Sequence, residues 1–373
     1  MENFSNFPFI ILLLYYFATQ SMISNKELSN ELKLEQPSLQ SVGKSPTVKA
    51  LVSLFIALVA LSFAAIFIRL SELEIGSNAT IFNRLWIATL FFGLWNSIKK
   101  IQAEESKNLS SSAFNLNRRY FSFFRDTAHQ PTIGYNSPTQ QDLGLLILMG
   151  VASSISIILW SWSLTQTSVA NSTVLRNLTP VFTTLWGWLL LKQSFDIQFL
   201  AGMAIAFVGA VAIGISDFSV SIEQIIGDGA ALLAAMLYSI YLLSIEQLRS
   251  RFSTATILLW RCALGTVITL PIALLKDPQI FPHTLSCWMA VISLALICQV
   301  LGQGLLAQSL NQLSSGFVAT TLLLEPAISA FIAWLLFSEK LTLLNWIAFF
   351  VVLAGVYLAK PRQLVVTIPE KDD

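Results

Sequence analysis

The sequence predicts an all-α integral membrane protein of ten transmembrane helices, arranged as two inverted five-helix repeats. Three observations predict it. Of 373 residues, 55% are apolar and 12% charged, with a mean hydropathy of +0.68; a soluble domain carries about 25% charged residues. Apolar stretches recur at lengths that suit a hydrocarbon core of about 30 Å, which about 20 helical residues cross. The chain also matches itself. Pro326 follows Pro180 by 146 positions (326 − 180), and the same shift lays Ser163-Leu164-x-Gln166-x-Ser168 on Ser309-Leu310-x-Gln312-x-Ser314. It further pairs Leu178 with Leu324, Trp188-Leu189-Leu190 with Trp334-Leu335-Leu336, and Gly209 with Gly355. A duplication of membrane helices is the pattern of a carrier built from two repeats.

Taken in order, residues 1–46 form a polar tail with a short apolar run at 8–18. That run lacks a basic flank and is too short to span, so it reads as an interfacial segment, or as residues upstream of a start at Met22. Residues 24–48 are rich in Ser, Lys and Glu and are expected to be disordered. Ten spans follow at approximately 49–69, 79–98, 143–163, 169–191, 197–216, 228–246, 254–275, 286–308, 315–337 and 344–360. They divide into a first repeat, 47–216, and a second, 226–361, with a cytoplasmic tail at 362–373. Arg84 and Arg261 are 177 apart (261 − 84), so 31 residues (177 − 146) are inserted between the second and third helices. The insertion is the polar stretch 100–142, which holds the basic and aromatic run from Arg118 to Arg125. It reads either as a mobile loop or as an anchor on anionic headgroups. No long alternating segments suggest a barrel.

With the N-terminus inside, sixteen Lys and Arg residues fall on the cytoplasmic side, against Lys276, Lys340 and Arg69 on the other. The positive-inside rule then places both termini in the cytoplasm, with the plasma (inner) membrane as the expected location. Because five helices per repeat is odd, the second repeat enters from the opposite side. The loops Lys192-Gln193-Ser194 and Ser338-Glu339-Lys340 accordingly fall on opposite faces. Cys262, Cys287 and Cys298 have no C-x-x-C spacing, and His129 and His283 lie in loops, so neither a metal site nor a catalytic dyad is expected. The chain shows no H-E-x-x-H, G-x-S-x-G or paired aspartates, which argues against an enzyme.

Ionisable side chains inside a bilayer cost about 2.5–3.5 kcal/mol each at the helix centre, so those present invite a functional reading. Four stand out: Arg84, Arg176, Arg261 and Glu325. At a rise of 1.5 Å per residue, Glu325 sits at a depth of about 16 Å and Arg176 about 20 Å above the inner boundary. These similar depths on repeat-related helices suggest that the two bind opposite ends of a zwitterionic solute, or that Glu325 carries a coupling proton. The structural alternative is an ion pair. Thr321 and Ser329 flank Glu325 at one-turn spacing as a polar stripe. Pro180 and Pro326 each remove a mid-helix hydrogen bond and read as hinges or as static kinks. Arg84 and Arg261, near the starts of their spans, either snorkel to headgroups or pair in a gate. Gln299 and Gln303 are one turn apart and either bond a solute or tie helices together. Trp160 and Trp162, with Tyr238 and Tyr241, are candidate apolar cavity walls, whereas Trp186 and Trp188 suit the membrane interface.

These residues resemble the drug/metabolite transporter superfamily, in its EamA-type branch, over nearly all of residues 47–361. The resemblance rests on the arginine early in the second helix of each repeat (Arg84, Arg261) and on a doubled pattern. That pattern reads Ser168-Val169-Ala170 to Leu178-Thr179-Pro180, and Ser314-Ser315-Gly316 to Leu324-Glu325-Pro326. Glu339 and the helix around Gly355 also fit. The resemblance implies ten helices, a central cavity, and export or exchange of small metabolites without ATP hydrolysis. Two departures are Lys192-Gln193, where a Gly-Glu pair is usual, and the 31-residue insertion. The expected function is a secondary transporter, an exporter or exchanger of a small amphipathic or zwitterionic metabolite such as an amino acid. A sugar-phosphate or nucleotide-sugar exchanger is the alternative, disfavoured by the lack of a lysine deep in the spans. A non-transporting receptor or a membrane-embedded enzyme is more remote. The expected partners are the metabolite, the lipid bilayer and a coupling proton, with no nucleic acid, metal or cofactor; the sequence leaves the oligomeric state open.

Overall fold

The computed structural model describes residues 48–108, 139–214, 225–337 and 343–360. The expected tails, the aromatic and basic run of the insertion, and Glu339 with Lys340 lie outside the described residues. The ten spans are α1 (Val48–Ser71), α2 (Ser77–Asn108), α3 (Gln140–Gln166), α4 (Val169–Arg176 and Thr179–Leu191) and α5 (Ile197–Gly214) in the first repeat. In the second they are α6 (Ile225–Leu248), α7 (Thr254–Lys276), α8 (Leu285–Ser309), α9 (Ser315–Leu322 and Glu325–Phe337) and α10 (Leu343–Leu358). α1, α3, α6, α7, α8 and the first eighteen residues of α9 are long and apolar enough to cross a membrane. α2 runs to Asn108, beyond the expected end near 98, because Lys, Gln, Ala and Glu after Ile98 are strong helix formers.

The pattern of exposure inverts that of a soluble protein. Leu94, Val208, Val267 and Phe350 face outward, while Asn83, Ser153, Ser154, Ser156, Thr183 and Thr320 are buried. Many of the inward hydroxyls bond a carbonyl one turn back in their own helix, as Thr183 does to Thr179 (2.8 Å) and Thr320 to Gly316 (2.9 Å). Their polarity is thereby satisfied without water.

The repeats pack by a two-fold rule. α2 lies on α7 and α5 on α10, each helix against its own counterpart, whereas α3 lies on α6 and α1 on α8, pairs that exchange when the repeats are swapped. Between α2 and α7, Thr89 Oγ1 and Thr266 Oγ1 are 3.4 Å apart, and these residues differ by the same 177 positions as Arg84 and Arg261. Between α5 and α10 the backbones touch. A Cβ on Gly209 would lie 2.9 Å from Val352 N, and one on Gly355 would lie 2.7 Å from Ala206 Cα. Gly209 corresponds to Gly355, and Ala206 to Val352, at a shift of 146 (355 − 209; 352 − 206), so the contact is made twice by equivalent residues. Without a hydrophobic drive inside lipid, such close approach of small residues supplies the dispersion energy that holds helices together.

Polar clamps tie the helix ends. At one end Asp277 accepts from Ala79 N (2.5 Å) and Asn78 Nδ2 (2.9 Å), so a carboxylate caps the N-terminus of α2. Glu74, in the α1–α2 loop, accepts from the Thr284 and His283 backbone N–H groups and from the Thr284 hydroxyl, beside the N-terminus of α8. At the other end Arg251 pairs with Asp142 at 2.7 Å. α6 carries an acid near each terminus. Asp228 accepts from Thr167 Oγ1 (2.7 Å), and Glu246 accepts from Ser315 N (3.1 Å) and Gln193 Nε2 (3.5 Å). Lys192 stands at φ 53°, a left-handed helix end that glycine fills more cheaply, with a strain of roughly 1–2 kcal/mol. The turn it makes carries Gln193 to Glu246.

Two predictions follow from this packing. Gly355→Val forces apart a backbone contact and is expected to destabilise the protein by about 1–3 kcal/mol. Gly229→Ala, with nothing within 4 Å of its added methyl, is expected to be neutral or mildly stabilising; thermal unfolding of both variants in detergent compares them. Hydrogen bonds from Thr284 and then His283 hold Glu74 below the ordinary carboxylate value of 4.5. A carboxylate depressed on folding contributes its stability above the unfolded value and loses it as pH falls through the folded one. Hydrogen exchange at residues 284–288, corrected for intrinsic rate, should therefore accelerate only below the ordinary carboxylate range, and Glu74→Gln should show the fast exchange already at neutral pH.

Candidate functional site

Three of the ten spans are broken part-way along their length, and the site gathers around the breaks. Proline at 180 cannot donate to the carbonyl of residue 176. The first half of α4 ends at Arg176, the second begins at Thr179, and the Thr179 hydroxyl bonds the Arg176 carbonyl at 2.7 Å. α9 breaks at Leu323-Leu324, the positions equivalent to Asn177-Leu178. Both breaks tighten in the same way: Leu178 N reaches Leu175 O (3.2 Å), and Leu324 N reaches Thr321 O (3.1 Å). Pro180 and Pro326 thus open the second half-helices, one turn from the free ends, instead of kinking continuous helices. The third break, in α1 at Phe63, carries no proline signal. Ser62 Oγ donates to Leu58 O (2.8 Å) and reaches Glu325 O (3.3 Å), and Ser329 Oγ donates to Ser62 O (2.9 Å). α1 is therefore stitched to α9 where both are interrupted.

The fourth irregularity is a π-helical stretch, Leu294–Gly302, within α8. Widening the helix by one residue per turn rotates Cys298 and Gln299 toward different neighbours. Cys298 Sγ meets Ala60 O (3.1 Å) on α1, and Gln299 Nε2 meets Cys262 Sγ (3.5 Å) on α7.

Between these elements lies a run of stacked cations and rings. The Arg176 guanidinium is 4.8 Å from the Trp160 ring centre and 4.9 Å from that of Tyr238, and one of its nitrogens reaches Ser156 Oγ at 3.4 Å. Tyr238 and Tyr241 have ring centres 5.3 Å apart, and the Arg261 guanidinium lies 4.5 Å over Tyr241. The Tyr241 hydroxyl donates to Gln303 Oε1 at 2.9 Å. Arg84 interacts electrostatically with Arg261 and Arg176, and Glu325 interacts with Arg176 and Arg84. No ion pair within 4.0 Å joins Glu325 to an arginine among the described residues.

The magnitudes separate the three arginines. A desolvated cation–π contact is worth about 2 kcal/mol, so the two rings on Arg176 offset the roughly 2.5–3.5 kcal/mol cost of holding its charge in the membrane. Arg261 has one such ring and is 6% exposed, with Nη1 lacking a hydrogen-bond partner. Among the described residues Arg84 has no such ring, and its buried Nε also lacks a partner.

The structure therefore brings Arg176, Trp160, Tyr238, Arg261 and Gln303 together, with Arg84 and Glu325 within electrostatic reach. Arg261 turns inward over Tyr241 instead of toward headgroups. Gln299 and Gln303 bond cysteine and tyrosine side chains on neighbouring helices. The Thr321 hydroxyl is spent on Phe317 O (2.8 Å) in its own half-helix, and Trp162 is 43% exposed, facing away from Trp160. Sequence reasoning missed Ser62, Ser156, the α1 break and the π stretch. A serine within an apolar run was the only signal for the first two.

The EamA-like transporter family matches residues 48–215 and again residues 225–360. An uncharacterised transporter of Archaeoglobus fulgidus is 29% identical over 208 residues, covering 54% of this chain and 70% of its relative. The pseudopaline exporter of Pseudomonas aeruginosa is 24% identical over 203 residues, covering 54% and 69%. A solved crystal structure superposes with a TM-score of 0.65 at 14% identity, over 84% of this chain and 96% of that one, a likeness of fold.

Replacing Arg176 tests the stacked geometry. A lysine keeps the charge but forfeits the planar group that meets two rings, so Arg176→Lys is expected to lower stability by about 1–2 kcal/mol. Arg176→Met, which removes the buried charge, is expected to cost less. Unfolding midpoints in one detergent rank the two; an Arg176→Lys protein as stable as the parent would remove the role assigned to the rings.

Proposed function

Because the chain belongs to the EamA-like transporter family, we propose that it is a secondary transporter that exports or exchanges a small amphipathic or zwitterionic metabolite by alternating access between its inverted repeats. The observation that carries this reading is the placement of Arg176, Arg84 and Glu325 beside the matched breaks of α4 and α9. Discontinuous helices at the repeat interface are where carriers of this design hold their solutes, because interrupted backbone is tolerated only beside protein or a cavity.

In this reading Pro180 and Pro326 are hinges, Arg176 and Arg84 hold the anionic end of the solute, and Glu325 receives its ammonium group or a coupling proton. Arg261 serves as a gate with Arg84, and Trp160 and Tyr238 wall the site. The two-fold packing supplies two equivalent arrangements, and the polar clamps at either end of the bundle open in alternation. Both termini face the cytoplasm and the protein resides in the plasma membrane, so that α2 enters from outside and the Asp277 clamp closes the outer entrance. The outward direction is supported by the exporter among the relatives.

The test uses cells with and without the gene, compared for retained and released solutes, followed by flux of the affected solute in proteoliposomes across a pH range. Glu325→Gln is expected to reduce flux at least tenfold or to abolish its pH dependence. Full flux with an unchanged pH profile removes Glu325 from the mechanism. No difference in any solute and no flux, with folded protein, would overturn the transporter reading.

A further inference from the structure

The central cluster is unbalanced in charge and in hydrogen-bonding sense, and both imbalances point the same way. Three arginines gather with one carboxylate: Glu325 interacts with Arg176 and Arg84, and Arg261 interacts with those two arginines. Acids with described side chains at the bundle ends are engaged elsewhere: Asp142 with Arg251, Asp228 with Thr167, Glu246 with Ser315, and Asp277 with the start of α2. The cluster thus sets three guanidinium charges against one carboxylate, and arginine does not neutralise itself by losing a proton.

The buried side-chain atoms without partners in this region are all donors: Arg84 Nε, Arg261 Nη1, Trp160 Nε1 and, at the α4 break, Asn177 Nδ2. Gln303 Oε1, an acceptor beside them, is taken by Tyr241. A solute that completes this set must be rich in acceptors, since buried polar groups are nearly always paired.

The stacking decides the shape of those acceptors. The Arg176 guanidinium stands over two rings, Trp160 and Tyr238, and that of Arg261 over one, Tyr241. Guanidinium N–H groups lie along the edges of the plane and match a carboxylate bidentately, and of the Arg176 nitrogens one already reaches Ser156 Oγ. Glu325, near Arg176 and Arg84, offers the one anionic site, suited to an amine.

We propose that the solute of this site is a net anion of the aminodicarboxylate class, with two carboxylates on the arginines and its single amine on Glu325. This rests on the transporter reading above but narrows it from neutral zwitterions to acidic ones. An inorganic or organic phosphate could satisfy the same arginines, and the test separates the two.

Purified full-length protein in detergent is titrated with L-glutamate, glutarate, L-glutamine, putrescine and inorganic phosphate, reading thermal stabilisation; the same compounds, labelled, are followed in proteoliposomes. L-Glutamate is expected to stabilise at a concentration at least tenfold lower than L-glutamine, and putrescine not at all. Arg261→Gln should raise the half-saturating L-glutamate concentration at least tenfold and Arg261→Lys by less. Glu325→Gln should erase the preference for L-glutamate over glutarate. If either arginine variant fails to fold, the Glu325→Gln comparison and the parent's own ranking still decide. L-Glutamine or putrescine equalling L-glutamate, phosphate surpassing both dicarboxylates, or no response to any compound would each overturn the proposal. Stabilisation by L-glutamate without flux upholds the charge inference and counts against transport. Flux of L-glutamine in preference does the reverse.

Discussion

A guanidinium held inside a bilayer can neither shed its proton nor reach bulk water, so its charge must be met locally. Much of the middle of this bundle answers to that requirement. The rings of Trp160, Tyr238 and Tyr241 are drawn into one column by Arg176 and Arg261. Gln303 fixes the Tyr241 hydroxyl and so the plane on which Arg261 rests. The breaks in α1, α4 and α9 open backbone groups, and hydroxyls of Ser62, Thr179 and Ser329 bond to carbonyls there. Stability and chemistry are therefore not separable here: the contacts that make the arginines tolerable also set the directions in which their edges remain free.

The scaffold and its chemistry obey different symmetries. Packing between α5 and α10 is made twice by equivalent residues, and between α2 and α7 Thr89 meets its own counterpart Thr266. The chemical groups do not repeat. Thr179 closes the carbonyl left by one proline, while Glu325 stands at the equivalent place before the other. α6 is a continuous helix with an acid at each end, whereas its counterpart α1 is interrupted. α8 widens into a π stretch that α3 lacks. A pair of matched folding units can thus hold a solute whose two ends differ.

Much of this was legible in the sequence because it depends on quantities that a single chain displays. The ten spans follow from apolar length, the duplication from the constant shift, and the central charges from their rarity in lipid. The matched prolines marked the breaks of α4 and α9 to within one turn. What remained hidden depends on side-chain direction. Near-terminal positions suggested that Arg84 and Arg261 either reach for headgroups or pair in a gate; Arg261 crosses to a tyrosine on another helix, and hydropathy cannot see that. Thr321 looked like part of a polar stripe, but its hydroxyl bonds its own backbone, an option that composition does not distinguish from a free one. The α1 break has no proline or glycine to announce it, the π stretch has only Gly302 at its last position, and both sit where α1 meets α8 and α9.

The doubled contact at Gly209 and Gly355 has a bearing on how this chain tolerates change. An interface in which each side meets a near copy of itself is the intramolecular form of an isologous dimer contact. In a true homodimer one mutation alters both halves and keeps them matched. In a fused pair each half drifts alone, so a larger residue acquired at Ala206 must be accommodated by Gly355 without any matching change at Val352. Positions on the two-fold seam are for that reason bound to their partners more tightly than burial alone would dictate, and they form the part of the chain where the two halves still behave as one sequence.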